Sequence, residues 1–143
     1  LNIRCSIIGP EKKNFVSLLE WFLHQEPNAS LNGFTHHKWN GVTTLQFAKL
    51  MELIVLDNHF DKLLGIASIH HFLPNETVDK FELLNIFQDV FLTNYVIGAV
   101  DNIGPPIRRD LSSNLTTLDR IYPKMKMEEA VIELKNYMSK SVN

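Results

Sequence analysis

Apolar residues recur at three- and four-residue steps along most of this chain, a period typical of amphipathic helices. The clearest stretch, residues 56–92, predicts a short helix that ends in a histidine pair, then a turn at residues 74–77 and a long apolar helix. One face of the short helix holds Phe60, Leu63, Ala67, His70 and His71. One face of the long helix holds Val78, Phe81, Leu84, Phe87, Phe91 and Tyr95. The histidine pair closes an apolar stripe and is therefore expected to point inward.

The same period predicts further helices over residues 10–26, 42–55, 105–122 and 127–138. Proline suits the first turn of a helix and interrupts its interior, which sets several of these bounds. Residues 1–9 indicate a short strand or an irregular lead, and no strand pattern follows them. We therefore expect an all-α, single domain of about six helices over residues 1–143, with an additional C-terminal helix at residues 126–141.

Composition places the chain among ordinary globular proteins. With 143 residues, 45% of them apolar, it is long enough for one domain with its own core. A net charge of −2 without a long basic run disfavours nucleic acid as a partner. The single cysteine excludes an internal disulfide and fits a reducing compartment. With no apolar run of membrane-spanning length and no signal-like segment, a soluble, cytoplasmic protein is expected, and secretion stays open.

Motifs that mark common enzyme classes are absent from the sequence. It contains no glycine-rich phosphate loop, no His-Glu-x-x-His zinc helix and no nucleophile elbow. Cys5 has no positional partner that would favour a catalytic thiolate. The adjacent pairs His36-His37 and His70-His71 lack the i,i+3 or i,i+4 spacing that two metal ligands on one helix face need. The sequence therefore predicts no enzymatic activity.

Several spacings resemble those of the globin family. Leu56-Asp57-Asn58 is similar to the turn that opens the globin proximal helix, and His70 falls where the family places its iron ligand. Phe81-Glu82-Leu83-Leu84 resembles the opening of the next globin helix. Residues 40–45 resemble the distal helix, with Asn40 in place of the distal histidine, and Gly104-Pro105-Pro106-Ile107 resembles the start of the last helix. The resemblance spans roughly residues 15–122 but lacks the first globin helix and part of the corner before the distal helix.

The resemblance implies a haem pocket, because an imidazole that points from a helix end into an apolar cleft suits a haem iron. His70 would be the proximal ligand, with His71 as the fallback if the helix is rotated. Phe34 would stack on the porphyrin, and Asn40 and Thr44 would face the distal side. The apolar wall would consist of Leu63, Phe72, Phe81 and Leu84.

The resemblance also implies a function, the reversible binding or sensing of a diatomic gas such as O2. Two alternatives stay open. The first is a globin-fold sensor or interaction module without haem, which binds a fatty-acid-like ligand or a protein partner. The second is a helical adaptor unrelated to globins. A small apolar or gaseous ligand, a homo-oligomer or a protein partner, and no membrane span are expected.

Overall fold

Helices and short strands alternate along the chain. The computed structural model describes residues 1–11, 13, 15–101, 104–105 and 107–140, and these form an α/β fold. Their α-helices are α1 (Leu18–Leu23), α2 (Thr44–Leu56), α3 (Phe60–Ile66), α4 (Lys80–Phe91) and α5 (Met127–Lys140), with a 3-10 helix at Thr117–Arg120 before α5. None of the helices in this described part of the chain is long and apolar enough to cross a bilayer.

The strands are two to five residues long and form small sheets. They are β1 (Asn2–Arg4), β2 (Ile7–Ile8), β3 (Ser30–Phe34), β4 (His37–Trp39), β5 (Val42–Thr43), β6 (Ile69–His71), β7 (Val78–Asp79), β8 (Val96–Val100) and β9 (Ile107–Arg108). Three pairs are parallel, namely β1 with β6, β2 with β5 and β3 with β8. Strand β4 lies between β7, which runs antiparallel to it, and β9, which runs parallel.

Two of the long helices begin at a capping box, in which a side chain and a backbone N–H exchange hydrogen bonds across three residues. The Thr43 hydroxyl accepts from the backbone N–H of Gln46, whose side chain accepts in return from the N–H of Thr43. Asp79 and Glu82 make the same exchange at the start of α4. Such boxes satisfy backbone donors that a helix start leaves unpaired, so they fix where α2 and α4 begin.

The larger core forms where α4 packs on the β3–β8 pair, with α1 and α5 beside it. Leu84 and Phe87 of α4 are fully buried, and the Phe87 ring lies 5.5 Å from that of Phe22 in α1. Gly33 allows close packing, since a Cβ there would come within 2.8 Å of the Cα of Phe81. A second core joins α2, α3, β6 and the 3-10 helix, and its buried members are Val42, Leu50, Ile54, Leu63, Phe72, Leu118 and Tyr122.

The all-α prediction is wrong, because strands form in segments predicted as helix or turn. The histidine pair lies in β6 rather than at a helix end. Helix α3 stops where Ala67 turns extended (φ −160°, ψ 152°), and β1 then pairs with the next residues. Strands β3, β4 and β8 lie between predicted helices, in parts of the chain where no strand pattern was visible.

The helix predicted over residues 105–122 is also absent from the described residues there. Its start forms β9, and only Thr117–Arg120 is helical. The stripe that predicted it is not buried, since Leu111 and Leu115 are exposed and Leu118 alone is fully buried. Pro106, part of the supposed globin helix start, lies outside the described residues. Helix α5 lies where the final helix was predicted, and residue 141 is outside the described residues. The organisation into a single domain with an additional C-terminal helix stays a prediction.

We expect Gly33→Ala to lower the free energy of unfolding by roughly 1–3 kcal/mol, because the new methyl group would push against the backbone of α4. Gly65→Ala is the matched control. It lies in α3 with nothing within 4 Å of the added Cβ, so it should stabilise the protein by about 0.5–1 kcal/mol. Chemical denaturation measures both. Equal effects of the two substitutions would contradict the close packing of β3 on α4.

Candidate functional site

Strand β4 gathers basic residues from three distant parts of the sequence. Its Lys38 pairs with Asp79 of β7 on one side and with Arg108 of β9 on the other. Lys80 follows Asp79 directly as the first residue of α4. Arg109 follows Arg108, and its backbone N–H donates to the carbonyl of Lys38 at 2.9 Å. Lys80 and Arg109 follow the two residues that pair with Lys38. Both are therefore cationic residues beside β4.

These residues open onto a cleft of about 410 Å³, here called the basic cleft. Its walls come from β2, β4, the residue that follows β9, and the starts of α1 and α4. The lining residues are Ser6, Ile7, Ile8, Ser17, Leu18, His37, Lys38, Trp39, Lys80, Leu83 and Arg109. These described lining residues include two lysines and an arginine but no carboxylate, which favours an anionic ligand.

The charges in the basic cleft are unequally compensated. The Lys38 ammonium is 3.1 Å from the Asp79 carboxylate, which also caps α4. No ion pair to Lys80 or Arg109 occurs in the described part of the chain. The Lys80 ammonium instead lies over two aromatic rings, 5.1 Å from the centroid of Trp21 and 5.2 Å from that of Phe34. Cation–π contacts offset only part of the charge.

Burial and like charges lower two pKa values in this cleft. The pKa of the Lys80 ammonium is lowered first by burial and then by the Arg109 guanidinium. The pKa of the His37 imidazole is lowered by burial, and further by His36, Lys80 and Arg109. Both shifts disfavour positive charge in the absence of a counter-anion. An anion bound in the cleft would offset the repulsion between these cations and would raise both pKa values.

Trp39 forms an aromatic wall of the cleft and is held from two sides. Its indole N–H donates to the Ser6 hydroxyl at 2.6 Å. Its ring lies against Gly41, where any Cβ would collide with it and with the Ser6 carbonyl. The hydrogen bond to Ser6 and the close contact with Gly41 therefore fix the position of the indole ring.

The proposed proximal histidine is a core residue of β6. His70 is 1% exposed, and its Nε2 lies 3.0 Å from the carbonyl oxygens of both Leu63 and Ala67. Since carbonyls only accept, Nε2 carries the proton and donates to them. His71, the fallback ligand, points the other way in the strand, with its Nδ1 3.2 Å from the Ser113 hydroxyl. His70 therefore joins the end of α3 to β6.

The other residues expected around a haem do not form one pocket. Leu63 and Phe72 lie in the smaller core, whereas Leu84 lies in the larger core. Phe34 stacks on His37 beside the basic cleft, with ring centroids 4.7 Å apart. The remaining members are Thr44 against Gly9, Phe81 against Gly33, and Asn40, which is bonded to the backbone of Leu111. Whether any of them contacts a ligand stays a prediction.

Several solved structures of sugar-nucleotide enzymes are similar to this chain. One is dTDP-4-dehydrorhamnose reductase from Clostridium acetobutylicum, with a TM-score of 0.69 and 8% identity over 96% of this chain and 48% of that one. The Bacillus anthracis reductase of the same name, in complex with NADP, gives 0.57 and 10% over 92% and 46%. UDP-N-acetylglucosamine 4-epimerase from Methanobrevibacter ruminantium, in complex with UDP-N-acetylmuramic acid, gives 0.56 and 18% over 96% and 46%.

These likenesses establish an α/β fold shared with part of each of these proteins, and the chain spans about half the length of each. No protein-family model and no curated protein sequence matches it.

The comparisons correct the globin interpretation. The similar solved structures include a reductase and an epimerase, and none of those named is a globin. The predictions of gas binding and of no enzymatic activity are therefore wrong. Neither of the two helical alternatives fits an α/β fold. One of these proteins carries NADP, not haem. Among the described residues, no three His, Cys, Asp or Glu side chains are grouped to hold a metal.

Sequence reasoning missed the basic cleft, although part of its signal was visible. His36-His37-Lys38 and Arg108-Arg109 stand out as short basic runs in an otherwise acidic chain. Nothing in the sequence joins them, because they meet only through the pairing of β4 with β9. A three-residue strand paired with a two-residue strand has too little alternation to be predicted.

We expect His70→Ala to lower the free energy of unfolding by roughly 2–4 kcal/mol, because it opens a cavity in the core and removes the Nε2 donor shared by the Leu63 and Ala67 carbonyls, of which the Leu63 carbonyl keeps only the Ala67 N–H. His71→Ala, half-buried in the same strand, should cost less than about 1 kcal/mol. Urea denaturation compares the two variants. A neutral His70→Ala would contradict the structural role.

Proposed function

We propose that this chain forms the substrate-binding part of an NAD(P)-dependent enzyme that acts on a nucleoside-diphosphate sugar. In this proposal the basic cleft holds the diphosphate. The observation that carries the proposal is the convergence of Lys80 and Arg109 on a cleft whose described lining has no carboxylate. The names of the similar solved structures, a dTDP-sugar reductase and a UDP-sugar epimerase, support the same substrate class.

The chemistry of the cleft suits a diphosphate. A guanidinium offers paired N–H donors that match phosphate oxygens, and an ammonium adds a point charge beside them. The volume of about 410 Å³ falls within the range of roughly 300–1,000 Å³ typical of small-molecule sites. The aromatic ring of Trp39 lines the cleft and offers apolar surface to the rest of the ligand.

The residues of this chain do not fit the nicotinamide cofactor itself. Binding of a dinucleotide pyrophosphate in such folds uses closely spaced glycines at the start of a helix. None of the six glycines here follows the Gly-x-Gly-x-x-Gly pattern. We therefore derive no redox step from this chain and assign it the substrate side only.

The location and the assembly of the protein stay predictions. A single cysteine suits the reducing cytoplasm, which we propose as its compartment. A homo-oligomer or a protein partner is also a prediction that no observation here tests.

We expect the chain to bind UDP-glucose, and Arg109→Gln to weaken that binding by about tenfold or more, because a hydrogen bond to a charged group contributes roughly 1.5–3 kcal/mol. Isothermal titration calorimetry measures the dissociation constants. Uridine, which lacks the phosphates, should bind much more weakly than UDP-glucose.

The matched control is Arg108→Gln, which removes the same charge one residue away. Arg108 is exposed, pairs with Asp110 and does not line the cleft, so its loss should change the affinity less than twofold. Equal effects of the two substitutions would reduce the interaction to general charge attraction. No saturable binding of UDP-glucose by the wild-type chain would contradict the proposed function.

We also expect UDP-glucose to bind more tightly at about pH 6 than at about pH 8. The pKa of His37 is lowered in the free protein by burial and by neighbouring positive charge, and a bound anion would raise this pKa and favour uptake of a proton. Calorimetry in buffers of different ionisation enthalpy measures that proton uptake. His37→Gln should abolish the uptake near pH 6, while an uptake unchanged in this variant would exclude His37 as its source.

A further inference from the structure

The segment that carries Arg109 is held to the protein mainly by polar contacts. We call residues 107–116 the strap. Nearly all of its described residues are exposed, including its large apolar side chains, Ile107, Leu111 and Leu115. Burial therefore contributes little to its position, and such segments open at low free energy.

We propose that Asn40 is a positioning residue that fixes the strap so that Arg109 faces the basic cleft. This inference rests on the proposed function, because it concerns the same cleft.

Asn40 binds the strap as a peptide group would. Its Nδ2 donates to the carbonyl of Leu111 at 2.8 Å, and its Oδ1 accepts from the backbone N–H of Leu111 at 2.8 Å. An amide offers one donor and one acceptor side by side, which an aspartate, an alanine or a serine does not. At 8% exposure Asn40 is itself buried, so its orientation is set by the protein and not by solvent.

The two hydrogen bonds between Asn40 and Leu111, here called the clamp, are close enough to Arg109 to direct it. Asn40 follows β4, and Leu111 lies two residues after Arg109. On its other side Arg109 is fixed by β9 and by its own N–H bond to Lys38. The backbone is therefore held by β4 up to Arg109, and by Asn40, which follows β4, two residues later. Without the Asn40 clamp, one side would be released and the guanidinium would have to be ordered at a cost when the ligand binds.

The contact between the strap and β6 is weaker than the one with Asn40. His71 meets the Ser113 hydroxyl through one contact of 3.2 Å, four residues beyond Arg109. The Ser113 hydroxyl also accepts from the backbone N–H of Leu115, so it is shared. The two-bond clamp at Leu111 is both closer to Arg109 and shorter.

The test is a double-mutant cycle on UDP-glucose affinity. We expect Asn40→Ala to weaken binding about fivefold to tenfold, and the double variant with Arg109→Gln to bind no worse than Arg109→Gln alone. Leu111→Pro is a second variant, which removes the N–H donor on the exposed strap and leaves the core untouched. It should weaken binding in the same way and lower the melting temperature no more than Asn40→Ala does, because it breaks one of the same two hydrogen bonds. Asn114→Ala, an exposed strap substitution, is the matched control and should have no effect.

A second readout separates positioning from a purely structural role. If Asn40 holds Arg109 near His37, then Asn40→Ala and Arg109→Gln should both raise the pKa of His37 in the free protein, measured by NMR titration. Weaker binding in Asn40→Ala with an unchanged His37 pKa would overturn the inference, as would strictly additive effects in the cycle. If Arg109→Gln weakens UDP-glucose binding and Asn40→Ala does not, only this inference is overturned and the proposed function stands. No effect of Arg109→Gln overturns the proposed function as well.

Discussion

The packing of α4 against the parallel β3–β8 pair is the contact on which the rest of the structure depends. Parallel strands cannot be joined by a tight turn, so the chain must leave the sheet and return, and α4 lies in that return path just before β8. The absence of a side chain at Gly33 lets the helix approach the strand closely at Phe81. Helices α1 and α5 then cover the remaining apolar surface of α4.

The basic cleft follows from where this packing places the start of α4. Strand β7 leads directly into the helix, so its pairing with β4 fixes Lys80 beside Lys38 and Trp39. Asp79 meets two demands at once, since one of its oxygens accepts from the N–H of Glu82 and the other pairs with Lys38. No carboxylate is thereby left for Lys80 among the lining residues, and its charge is exposed to whatever enters the cleft.

How much of this could be predicted from sequence depends on the length of each element. Helices α2, α4 and α5 span three or more turns, so their period is visible, and all three were predicted at close to their observed positions. The strands are too short to alternate visibly, and parallel pairs take partners far along the chain. The globin interpretation arose from correct helices at α2 and α4, because spacings between helices are shared by unrelated folds.

The candidate site was harder to predict for a different physical reason. A buried polar residue signals that a partner exists, but the sequence does not say which one. For His70 the partners are carbonyls at the end of α3, and for Asn40 the partner is the backbone of the strap. The globin resemblance placed both beside an iron, His70 as its ligand and Asn40 as a hydrogen-bond donor on the distal side. Tertiary contacts decide whether such a side chain binds a ligand or the backbone, and in this structure both His70 and Asn40 bind the backbone. The charged residues around β4 are the ones that line a cleft where a ligand can bind.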